Sequence, residues 1–128
     1  MDSTTILFHP ARSDSAAEIR LSLRLIACAR EGWCPPPDML ASARHADRWT
    51  VNRSADALVY QFVGHRTWPP DQSALIMGTA LAISPQHDWA LLAGNSWITL
   101  GPALAQMRPF DPTEVLRSAE IWLQAQRS

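Results

Sequence analysis

The chain has 128 residues, 47% of them apolar and 18% charged, with a formal net charge of -1. This is the length of one ordinary domain, with enough apolar material for a core that folding buries by roughly 65%. Those numbers exclude a disordered tail and disfavour a broadly basic nucleic-acid binder.

Residues 1–13 read as an extended N-terminal arm, in which Ile6-Leu7-Phe8 could add an edge strand or tuck into a groove; 14–128 reads as a single domain. The arm has no basic segment, and its apolar run is far shorter than a signal peptide needs, so a cytoplasmic protein is expected. Ser15 followed three residues later by Glu18 is a capping-box pattern. Ile19, Leu23, Ile26 and Ala27 then share a face, and Gly32 is a natural stop, so the spacing predicts a first helix over about 15–31. Cys34-Pro35-Pro36-Pro37 is a stiff connector, and Pro37 starts a short second helix predicted over about 37–46.

From Trp49 the pattern turns to strands. Trp49-Thr50-Val51 is short, and residues 52–56 are turn-like. Ala57 to Val63 is dense in β-branched and aromatic residues, with Leu58, Tyr60 and Phe62 on one face. Residues 64–71 read as a loop. Ala74 to Ile83 follows, with Leu75, Met77, Thr79, Leu81 and Ile83 alternating, and Gly78 marking a bulge or close approach. Trp89–Leu92 and Ser96–Leu100 form a hairpin across Gly94-Asn95. Asp111-Pro112-Thr113-Glu114 starts a last helix over about 112–126, with aspartate as cap and proline in the first turn. Short turns force consecutive strands to be antiparallel, because a parallel crossover needs a dozen or more residues. The expected fold is α+β, an antiparallel meander of about five strands packed against the N-terminal and C-terminal helices.

The order and spacing of Trp49, Leu58 through Gly64-His65, Leu81 to Pro85, Trp89-Ala90, Trp97 and Leu100-Gly101 resembles a family of small bacterial proteins of unknown function, over about residues 20–102. The resemblance implies a compact domain of bacterial origin and carries no activity with it.

All eleven cations are arginine, spread from Arg12 to Arg127 with no run of three, which reads as coding bias before function. Arg44, Arg48 and Arg53 surround Trp49, and cations interleaved with an aromatic ring can stack bases; this supports an alternative reading as a nucleic-acid-binding regulator. His65 could meet Asp88, the minimum for acid–base work because a carboxylate orients the ring; this supports a second alternative, a small hydrolase or transferase. The sequence holds no nucleophile elbow, phosphate loop or HExxH, and Cys28 and Cys34 form no CxxC, so no catalytic, metal or cofactor site is assigned. Trp33 beside three prolines, and Trp68 ahead of Pro69-Pro70 in a loop, are hard to bury in a sheet. Indoles on stiff loops make good anchors. The expected function is therefore a non-enzymatic protein-binding module that uses Trp33, Trp68 and Arg66. Its expected role is an accessory or inhibitory protein of a mobile element acting on a larger complex, with the apolar arm suggesting a homodimer.

Overall fold

The computed structural model describes residues 15–53, 59–68 and 75–127, without the side chains of Ser15, Trp68 and Arg127. The N-terminal arm, Leu58, Pro69-Pro70 and the capping contact of Ser15 lie outside what is described. Helix α1 spans Ser15–Arg30, a one-and-a-half-turn α2 spans Pro37–Ala41, and five strands follow: β1 (Arg44–Arg53), β2 (Tyr60–Trp68), β3 (Leu75–Ile83), β4 (Trp89–Leu92) and β5 (Ser96–Leu100). Helix α3 (Pro112–Arg127) ends the order.

All four consecutive strand pairs are antiparallel, as the short connections require. The ribbon also closes on itself. An up-and-down meander with an odd number of strands has its first and last running the same way, so closure must be parallel. Here Arg44, His45 and Ala46 pair with Ile98, Thr99 and Leu100. The expected five-strand meander is present and is in addition closed into a small barrel, which has two cores. Inside lie Trp49, Val51, Phe62, Ile76, Ala80, Ile83, Leu92, Ile98 and Leu100, with Val115 of α3 inserted among them. Outside, Leu81, Trp89 and Leu91 are roofed by Ile19 and Ile26 of α1 and by Ala119 and Leu123 of α3.

Three bulges set which residues face in. One extra residue at Arg48 and Trp49, opposite Gly64, rotates the Trp49 indole into the barrel. There it stacks on Phe62 at 6.0 Å and donates its Nε1–H to the Gly101 carbonyl at 2.8 Å. A buried indole needs such an acceptor. A second bulge lies on β2 between Trp68 and Arg66, and the third interrupts β3 between Ala80 and Ala82. Up to that bulge the alternation expected from sequence holds, with Leu75, Met77 and Leu81 outward (Leu75 and Met77 are 48% and 66% exposed) and Ile76, Gly78 and Ala80 toward the barrel; beyond it Ile83 turns inward instead of staying with Leu81.

Local signals explain the ends. Gly32, at φ +93°, closes α1 with a paired turn: its N–H donates to the Ala29 carbonyl, and the Trp33 N–H reaches back to the Cys28 carbonyl, both at 3.0 Å. Asp111 caps α3 by accepting the Thr113 N–H at 3.0 Å. Gly94 and Asn95 both take positive φ in the β4–β5 turn.

Three boundaries differ from expectation: Asn52 and Arg53, expected in a turn, still pair with β2 as the end of a ten-residue β1. The second helix stops at Ala41, and residues 44–47 belong to β1, because the barrel seam claims their backbone groups. The segment 64–68 is strand β2 rather than loop, held by pairing to β1 and β3. Among the described residues, no helix is long and apolar enough to cross a membrane.

Gly64 is closely packed in the interior, where an added Cβ would meet the Ala46 Cβ at 3.0 Å and the Phe62 ring at 3.1 Å. Gly64→Val should cost about 1–3 kcal/mol by overpacking. The expected outcome is a lower thermal midpoint with an unchanged far-UV spectrum; an unaltered midpoint would contradict the packing described.

Candidate functional site

The closing turn of α1 delivers Trp33 to the outer face of the barrel. Its ring lies 5.9 Å from that of Trp97, which in turn lies 5.5 Å from Trp89. Three indoles thus run in a row from the helix end across β5 to β4. Beside them opens a cleft of about 200 Å³, lined by Trp33, Cys34, Ile83, Pro85, Gln86 and Trp89 among others, and none of its lining residues is charged. Trp33 is half-buried, so it is a wall of the cleft rather than a free-standing loop anchor. Glu31 adjoins Gly32 and Asp88 adjoins Trp89, both exposed, while the Arg30 guanidinium turns away to pair with Glu120.

The other expected anchors sit apart from this cleft. Trp68 ends β2 opposite His45, and its ring lies outside what is described. Arg66 takes the inward register on β2, opposite Ala46, and is half-buried. The three arginines of the nucleic-acid alternative are strung along the ten-residue β1, roughly 30 Å from end to end, instead of sharing a helix. Arg44 donates to the Ser96 hydroxyl at 2.9 Å, Arg48 sits exposed in the bulge at φ +48°, and Arg53 lies 5.9 Å over the Tyr60 ring.

His65 and Asp88 are placed by different strands. Asp88 precedes β4, accepts a hydrogen bond from the Ser84 hydroxyl at 2.5 Å, and draws its own N–H to the same oxygen. The ladder neighbours of His65 are Asp47 on β1 and Leu75 on β3 instead.

A second constellation was not anticipated. His45 and Asp47 alternate with the inward Ala46, so both point outward from β1, and the barrel seam sets Thr99 opposite His45. His45 Nδ1 lies 2.8 Å from the Thr99 hydroxyl and Nε2 lies 3.0 Å from Asp47 Oδ1. An ionised carboxylate only accepts, so Nε2 carries the proton in the neutral ring. Nδ1 is then a bare lone pair, and the Thr99 hydroxyl donates to it. Gly101 makes the room, since a Cβ there would fall well inside contact distance of Asp47 Oδ1 and 2.9 Å from His45 Nε2. The signal was present in His45-Ala46-Asp47, a polar–apolar–polar alternation, but only once residues 44–47 are taken as a strand. Among the described residues, no group of three or more His, Cys, Asp or Glu is placed to hold a metal ion.

Comparison with protein-family models, with curated proteins and with solved structures gives no match.

Gly101→Ala should push Asp47 off His45 while leaving the Trp49 indole bond, which uses the Gly101 carbonyl, in place. The expected readout is a shift of the His45 ring signals in NMR with the Trp49 indole N–H signal retained. Unmoved His45 signals would show that the glycine is not what seats the carboxylate.

Proposed function

We propose that the chain is a protein-binding module whose recognition element is the tryptophan-walled cleft between the end of α1 and the β3–β4 turn. The observation that carries this reading is an open, uncharged cleft of about 200 Å³ bounded by Trp33 and Trp89. That volume suits one large side chain rather than a drug-sized ligand, whose sites run to roughly 300–1,000 Å³. Trp33 is held by a helix-closing turn and Trp89 by the β4–β5 ladder, so little entropy is lost when a partner docks. Exposed Glu31 and Asp88 beside the lining favour an apolar residue flanked by basic ones. The wider proposal is a cytoplasmic accessory or inhibitory protein, of a mobile element, that covers a surface on a larger complex. Trp33 is the anchor of choice. Spreading the arginines along one strand gives the nucleic-acid alternative less support, and the pairing of Asp88 with Ser84 does the same for an acid–base pair with His65.

The test is titration with a short capped peptide carrying one phenylalanine between arginines, followed by the indole N–H signals of Trp33 and Trp89. Trp33→Ala should weaken binding about tenfold, the cost of truncating an interface anchor. Ala82→Leu, which fills the cleft floor, should abolish it. Replacing the peptide's arginines with glutamates should weaken binding by about twofold to fivefold, as rim charges do. Shifts that map elsewhere, or binding indifferent to both substitutions, would overturn the proposal.

A further inference from the structure

We propose that Thr99 is an acyl-acceptor hydroxyl, activated by His45 and Asp47, which takes one acyl group from a neutral activated ester or thioester. The inference goes beyond the binding role and does not depend on the cleft.

Three observations carry it. The first is the chain of hydrogen bonds, Thr99 Oγ1 to His45 Nδ1 at 2.8 Å and His45 Nε2 to Asp47 Oδ1 at 3.0 Å. This is the relation of nucleophile, base and orienting acid that converts an ordinary hydroxyl into a nucleophile. The alternative acceptor for the hydroxyl, the Arg44 carbonyl, is farther away at 3.4 Å, so the imidazole is the better partner. The second is access: the His45 and Asp47 side chains are each 33% exposed, and Thr99 is partly exposed. The third is rigidity, because His45 and Thr99 are register partners across the seam and Gly101 holds open the seat of the carboxylate. A neutral ester or thioester is the simplest donor, because its uncharged carbonyl carbon is not repelled by the Asp47 carboxylate.

In the step, Thr99 Oγ1 attacks the carbonyl carbon and forms the new C–O bond as its proton passes to His45 Nδ1. Asp47 balances the charge of the resulting imidazolium. The bond from that carbon to the leaving oxygen or sulfur breaks, and the leaving group takes the proton from His45. The products are a Thr99 ester and a free alcohol or thiol, with no redox change. The outcome is one acylation per chain; turnover would need a further group to place a water against the ester.

The test uses the full chain with p-nitrophenyl acetate, with digestion and mass spectrometry to locate the adduct. One acetyl group should appear on the peptide containing Thr99. Thr99→Ser should keep the adduct at that position, and Thr99→Val should lose it. His45→Gln should slow its formation by about a hundredfold, the lower range for loss of a general base. Circular dichroism checks that each variant is folded. Should a variant fail to fold, the wild-type adduct still decides: acetyl found elsewhere than Thr99, or none, overturns the proposal. So does a folded His45→Gln that reacts at the wild-type rate, which would make the three side chains a clasp for the seam and nothing more.

Discussion

The parallel pairing of Arg44–Ala46 with Ile98–Leu100 is the constraint on which the rest of the molecule depends. Five antiparallel strands laid out flat would leave two free edges and one greasy face for the helices to hide. Closure removes the edges and supplies an enclosed core, leaving the helices a different task. The Gly101 N–H donates to the Ala46 carbonyl at 2.8 Å, and the Arg48 N–H donates to the Pro102 carbonyl, so the seam continues past the formal end of β5. Without it, Thr99 would not face His45, and Asp47 would have no glycine to lean on.

The helices then roof only part of the outside. Helix α3 packs mainly on β3 and on α1, and Val115 reaches past the wall into the barrel. Helix α1 crosses above β3 and ends in the Gly32 turn, whose two hydrogen bonds aim the chain so that Trp33 lands on Trp97. Helix formation, helix termination and the tryptophan row are therefore one causal sequence. Among the described residues, neither long helix packs appreciably on β1, which carries the His45–Asp47 part of the relay, while Leu75 and Met77 stand exposed on β3.

Much of the fold was legible because it is local. The Asp111-Pro112 start, the Gly32 stop and the Gly94-Asn95 turn are short patterns with a direct steric or hydrogen-bonding cause, and each stands where expected. What was not legible is non-local. The seam joins residues more than fifty positions apart, and nothing near Arg44 announces Ile98. Ala43 and Ala46 also mimic helical spacing, which carried the second helix too far and hid the alternation of His45 with Asp47. On β3 the extra residue at Leu81 breaks the period of two, so Ile83 leaves the face it was expected to share with Leu75, Met77 and Leu81 and turns into the barrel. Trp33 was expected as a loop anchor. Its actual role as a cleft wall depends on Trp97, sixty-four residues later.

Closure of the barrel is tested most directly by amide hydrogen exchange at Gly101. If its N–H is held by the Ala46 carbonyl, it should exchange about as slowly as the β4–β5 ladder amides, opening only with the sheet as a whole. Exchange at the rate of an unprotected peptide, with the β4–β5 amides still protected, would mean an open ribbon and would contradict this account.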